Sequence, residues 1–272
     1  MSTWSARQKL KQSSARVLID NSVLGFGVTH ETVWISTGTK KWGGVHDVET
    51  GYSARVPVHA PDNESQEYAN IKYLAGIAAL ARKGAIELLT SAELTDERIR
   101  QPVGRFRGYG WFDYSIFNDI RIASIDGHRL PAIGPTGMNL PTAKEQQQAR
   151  IAQANDRLYL ALVNLLGQKH NLDAWHIRTA EVNGLFCFLT MDFKLRNHVE
   201  ANKRHEPIRS LTTKIMTPME FGQEFGLMPI SPQILSYHNA SFFVRPDLNM
   251  PNSRRRPLSA YRKNRDKENK SN

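Results

Sequence analysis

Apolar and polar positions alternate between two periods along this chain. Residues 15–20, ARVLID, form a short apolar run ending on Asp20 and predict a buried strand. Residues 66–83, QEYANIKYLAGIAALARK, place Tyr68, Ile71, Leu74, Ala75, Ala78 and Ala79 at helical spacing, and Gly84 fits the helix end. A second strand is predicted over 85–90, AIELLT, with Ser91 as N-cap of a short helix after it. Helical character returns over 143–167 and again over HNLDAWHIRTAEVNG, which Gly184 closes. Residues 185–190, LFCFLT, are almost wholly apolar, as a strand buried on both faces should be. The helix FKLRNHVEANKR, a last strand over 208–216 and a short helix opened by Pro218 complete the pattern.

Strands alternating with helices predict an α/β fold with a central, mostly parallel sheet. Two stretches break the alternation. Residues 25–65, rich in Gly, Thr, Ser and His, read as a long loop or small hairpin outside the core. Residues 101–144 run from the aromatic GRFRGYGWFDYSIF to the Pro/Gly-rich RLPAIGPTGMNLP and read as a second insertion. The expected organisation is a basic arm over 1–14, a domain over 15–226 carrying both insertions, an extension over 227–252 and a disordered basic tail over 253–272.

Charge sharpens this picture. The 272 residues carry a formal net charge of +10. Residues 1–16 hold four bases and no acid, residues 253–272 hold eight bases and two acids, and the middle is neutral. Basic ends on a neutral body suit arms that touch a polyanion, with Arg254, Arg255 and Arg256 as a phosphate-facing cluster. Arg105, Arg107, Tyr109, Trp111 and Phe112 mix bases with aromatics, and either stack on unpaired bases or pack inward. No apolar run is long enough for a membrane span, and the N-terminus has no signal-peptide core, so a cytoplasmic protein without membrane contact is expected. The single cysteine, Cys187, excludes an internal disulfide and a cysteine-rich zinc site.

In parallel sheets the ligand site lies beyond the carboxyl ends of the strands. Asp20 ends the first strand, Glu93 follows the second, Asp173 opens the helix before the third, and Asp192 lies just past the third. Four converging carboxylates repel one another unless a divalent cation is bound, and hard oxygen donors favour Mg²⁺ or Mn²⁺.

These residues also carry a family resemblance. LIDNSVL at 18–24, SAEL at 91–94, LDAWHIRTAEVNG at 172–184, FLTMDFKL at 188–195 and KIMTPMEF at 214–221 resemble, in order, the motifs of PIN-domain ribonucleases. The resemblance implies a PIN-like three-layer fold and metal-dependent endoribonuclease activity, with Asp20 as central metal ligand beside Asp173 and Asp192, and Glu93 completing the catalytic cluster. Asn21 or Ser22 then takes the position that orients Asp20 or the substrate. Thr190, just before the acidic turn, either hydrogen-bonds a metal-bound water or is a plain strand-end hydroxyl. His176 either orients a ligand, contacts phosphate, or is structural.

The interval from Asp20 to Glu93 is longer than in compact family members, so Glu87, Asp96 or Glu97 are alternatives to Glu93. The family products are a 5′-phosphate and a 3′-hydroxyl. Single-stranded or structured RNA, a second copy of the chain and, for a toxin-like role, an inhibitory protein are the expected partners. Two rival readings remain: a catalytically silent PIN-like RNA-binding or assembly module, and a DNA-directed nuclease. His46, Asp47 and His59 form a separate candidate metal group in the first insertion.

Overall fold

The computed structural model describes residues 15–60, 63–101, 115–132 and 140–232, together with the backbone of 241–242. The expected basic arm, Arg254, Arg255 and Arg256, and the segment holding Arg105, Arg107, Tyr109, Trp111 and Phe112 lie outside those residues.

The centre is a five-stranded parallel sheet. Strand β1 (Ala15–Ile19) lies in its middle, between β4 (Ile86–Thr90) and β6 (Cys187–Leu189). The edges are β5 (Ala123–Ser124) beside β4 and β7 (Lys214–Met216) beside β6. Strand periodicity splits the apolar side chains between two cores. Val17, Ile19, Leu88, Cys187 and Leu189 point to one face. Leu18, Leu89, Phe188 and Ile215 point to the other.

The first face is covered by α1 (Asn21–Phe26), α2 (Gln66–Arg82) and α8 (Pro218–Glu224). The second is covered by α3 (Ala92–Ile99), α5 (Arg157–Leu166), α6 (Asn171–Val182) and α7 (Phe193–Ala201), with Ile151 of α4 (Ala143–Gln153) joining them. The result is a three-layer α/β fold. Cys187 is wholly buried, and that burial pushes its thiol well above the ordinary range, consistent with a small core residue. Among the described residues no helix is long and apolar enough to cross a membrane.

Several boundaries differ from the sequence expectation for local reasons. The helical stretch over 143–167 is two helices, because Asn155 takes a positive φ of 43° and Asp156 accepts a hydrogen bond from Tyr159 N to cap the second. Residues 208–216 yield only the three residues of β7, preceded by a 3₁₀ turn at Ile208–Ser210. Asn21 and Ser22 begin α1 directly after Asp20. Ser91 caps α3 as expected, and Asp126, 34 residues away, adds a second cap through Ala92 N at 2.6 Å.

Of the two readings of 25–65, the hairpin forms, and it is long rather than small: β2 (His30–Trp42) pairs antiparallel with β3 (His46–Pro57). Gly43 and Gly44 take positive φ at its turn, which L-residues with a Cβ adopt poorly. A short β8 (Ser241–Phe242) pairs with β3. The 101–144 stretch is not wholly an excursion. Phe117 is buried in the first core, Val28 bridges Ser115, and β5 supplies the sheet edge. After α8 the chain runs along α2, with Ile230 N donating to Lys72 O at 2.7 Å.

Helices α2 and α8 meet at Gly222, where an added Cβ would stand 2.1 Å from Tyr73 Cδ1 and 2.9 Å from its Cγ. Gly222→Ala forces the base of that ring to move. The overpacking outweighs the gain of about 1 kcal/mol in helix propensity, for an expected net loss of about 1–2 kcal/mol. Thermal denaturation checks this: a lower midpoint is expected, and an unchanged or higher midpoint contradicts the packing described.

Candidate active site

Asp20 stands at the carboxyl end of the central strand. Its backbone N–H donates to Leu189 O at 2.9 Å, which locks it beside the end of β6. Its Oδ2 accepts two hydroxyl hydrogen bonds, from Ser22 at 2.5 Å and Thr190 at 2.8 Å. Each hydroxyl is itself fixed from the β6 side: Met191 N donates to Ser22 Oγ, and Asp192 N donates to Thr190 Oγ1, both at 3.0 Å. Of Asn21 and Ser22 it is Ser22 that holds Asp20, and Thr190 donates to the Asp20 carboxylate directly. Asn21 does something else: its Nδ2 donates to Leu94 O at 2.7 Å and ties α1 to α3.

Asp192 begins α7 and uses Oδ1 to cap it, accepting from Lys194 N and Leu195 N. Asp173 lies in the first turn of α6, with Oδ2 2.9 Å from His170 Nδ1. Burial pushes the Asp173 carboxyl above the usual carboxylate range, and the nearby charges of Asp20 and Asp192 push it the same way, against the pull of His170 and His176. The three aspartates thus share one electrostatic neighbourhood at the carboxyl end of β1 and β6. Among the described residues neither Asp20 nor Asp192 forms an ion pair with a Lys or Arg.

Glu93 is not brought to this group in the expected way. It is buried, and Arg150 of α4 takes both of its oxygens, at 3.1 and 2.8 Å. Arg150 also bonds Asp96 Oδ2 at 3.1 Å, and Arg100 approaches the same carboxylate at 3.8 Å. A buried acid without a cation is expensive, and Arg150 supplies the cation here. Glu87 is exposed on β4 and pairs with Arg16. A third acid of α3, Glu97, pairs with His176 of α6, its Oε1 lying 3.1 Å from His176 Nε2. His46 and Asp47 sit at the hairpin tip and His59 just beyond its base, so they form no common site.

The Glu97–His176 pair was not assigned from sequence, although Asp173 and His176 are one turn apart. Its partner lies 79 residues upstream, and no local pattern signals it. His176 is buried, and among the described residues its Nδ1 has no hydrogen-bond partner. Burial alone would lower the imidazole, but Glu97 and the more distant Asp20 and Asp173 hold it above the ordinary histidine value. Burial alone would raise Glu97, but His176 holds it below the ordinary glutamate value. Arg150 and Asp126 likewise bond to residues chosen by the fold rather than by sequence spacing, whereas His170 lies three residues before its partner Asp173.

Among the described residues no three side chains of His, Cys, Asp or Glu are grouped closely enough to hold a metal ion as they stand. No family model, curated protein or solved structure matches the chain.

The pair has a signed pH dependence. The raised His176 contributes stability that is fully present below the ordinary histidine value and lost as pH rises through its higher folded value. The lowered Glu97 contributes stability that is present above the ordinary glutamate value and lost as pH falls through its lower folded value. The midpoint difference between the natural protein and Glu97→Gln should be widest between about pH 4.5 and 6.5 and narrow on both sides. A pH-independent difference in thermal melts would remove the pair from the stability account.

Proposed function

We propose that the chain is a Mg²⁺- or Mn²⁺-dependent endoribonuclease whose acidic centre is Asp20, Asp173 and Asp192. The carrying observation is the linked chain Ser22–Asp20–Thr190–Asp192 across two adjacent parallel strands, with the Asp173 carboxyl raised in part by the other two aspartates. The resemblance of the five ordered motifs to PIN-domain ribonucleases supports the same reading.

The donor chemistry fits a hard divalent cation. Among the described residues, Asp20 Oδ1 and Asp192 Oδ2 accept no hydrogen bond, so each carboxylate keeps an oxygen for a ligand. When bound, such an ion lowers the pKa of a water and offsets the charge of an incoming phosphodiester. The protein's part is positioning. Ser22 and Thr190 fix the Asp20 carboxylate, and Thr190 couples it to the turn that carries Asp192. His170 restrains Asp173, whose raised pKa makes cation binding a competition with a proton. Glu93 is assigned to structure, as the partner of Arg150.

The silent-module reading draws on the lack of a ready-made cation group among the described residues. Chelation separates the two. Cleavage of single-stranded RNA is expected with Mn²⁺ and is lost to EDTA, whereas a module binds RNA equally with and without chelator and cleaves nothing. Preference for single-stranded DNA over RNA would redirect the proposal to a DNA nuclease.

Asp20→Asn keeps an acceptor for Ser22 and Thr190 and removes the charge. Cleavage should fall to background while circular dichroism stays unchanged. Thr190→Val should lower activity or metal affinity about 10–100-fold, as loss of a group that orients a ligand does. Natural cleavage rates in a folded Asp20→Asn protein would end the assignment.

A further inference from the structure

The long hairpin has two chemically different faces. Cross-strand partners share a face, and residues two apart along a strand share it too. The registers Lys40↔Val48 and Trp42↔His46 therefore put Lys40, Trp42, His46 and Val48 on one face, and Tyr52 continues it along β3. The registers Lys41↔Asp47 and Thr39↔Glu49 put the other charges on the opposite face. Both acids of the distal hairpin, Asp47 and Glu49, lie on that opposite face, where Lys41 stands across from Asp47. The first face holds a base, a histidine and no acid from Lys40 to Tyr52.

Its apolar members stand in solvent: Trp42 is 76% exposed, Val48 44% and Tyr52 37%. A stripe running from Trp42 through Val48 to Tyr52 beside Lys40 gains nothing for the fold by being exposed. Twelve steps from His30 to Trp42 carry the tip roughly 40 Å from the hairpin base. That base follows α1, the helix that Asp20 begins.

We propose that this face binds unpaired segments of a nucleic-acid chain, with Trp42 stacking on a base and Lys40 meeting the backbone phosphate. Aromatic surface supplies sequence-tolerant stacking, and a face with a cation and no acid complements a polyanion. The proposal deepens the ribonuclease reading and rests on it for the choice of RNA. It locates a binding arm separate from the acidic centre, one that holds substrate while the centre acts.

The test is fluorescence anisotropy of the full chain with a labelled single-stranded oligouridine, in EDTA at about physiological salt. Trp42→Ala should weaken binding about tenfold or more, and Trp42→Phe should restore most of it. Lys40→Ala should weaken binding less and flatten the salt dependence by about 0.7 in log–log slope. The double variant Lys41→Ala/Asp47→Ala, on the opposite face, should bind within about twofold of the natural protein.

Unchanged affinity in folded Trp42→Ala overturns the proposal, as does absence of binding by the natural protein. It is equally overturned if Trp42→Ala splits a dimer at unchanged RNA affinity, which would assign the face to a second copy. Cleavage in Mn²⁺ reads the acidic centre, whereas binding in EDTA reads the hairpin. A failed nuclease assay with Trp42-dependent binding would sink the catalytic reading alone, and the converse would sink the arm alone.

Discussion

The parallel pairing of β1 with β6 is the constraint on which the site depends. It aligns Ile19 with Leu189, so the residues that leave the two strands, Asp20 and Thr190, emerge side by side. Asp20 and Thr190 lie 170 positions apart in the chain, and this pairing brings them within hydrogen-bond reach. With the strand ends in register, Ser22 and Thr190 both reach one oxygen of Asp20, and the backbone N–H groups of Met191 and Asp192 fix both hydroxyls. Apolar strands buried on both faces hold that register rigidly, since a one-residue slip would turn Val17, Leu18 and Ile19 toward the wrong cores.

The fold treats its acids in two ways, and the contrast separates structure from chemistry. Glu93 and Asp96 are buried and receive Arg150, a neutralisation that secures α4 against α3. Asp20 is oriented by hydroxyls, Asp192 by helix N–H groups and Asp173 by an imidazole. Hydroxyls and amides hold a carboxylate without cancelling its charge. Burial raises the Asp173 carboxyl, and the uncancelled charges of Asp20 and Asp192 push it the same way. A charge left uncancelled at a sheet edge, in a chain able to supply arginines elsewhere, is the physical basis for assigning that edge to a cationic ligand.

Much of this was legible in the residues. The strand over 15–20, the helix over 66–83 with Gly84 past its end, the Ser91 cap and the wholly apolar LFCFLT each carry a local signal, and each forms close to where that signal lies. That Asp20, Asp173 and Asp192 lie close enough to act on one another was legible because strand ends, and the helix starts that face them, gather at one edge of a parallel sheet. What stayed hidden depends on distant partners. Arg150 lies 57 residues from Glu93, Glu97 79 residues from His176 and Asp126 34 residues from Ala92. The sequence left loop and small hairpin open for 25–65, and the hairpin's length stayed hidden because its strands are rich in Gly, Thr and Ser and project into solvent, so they lack the apolar alternation that marks a half-buried strand.

A crystal grown with Mn²⁺, examined for anomalous scattering, addresses the central claim without relying on any assay of activity. The account expects a peak coordinated by Asp20 and Asp192, with Asp173 bound directly or through water. Well-ordered aspartates with no peak between them, at Mn²⁺ concentrations that fill other sites, would contradict it.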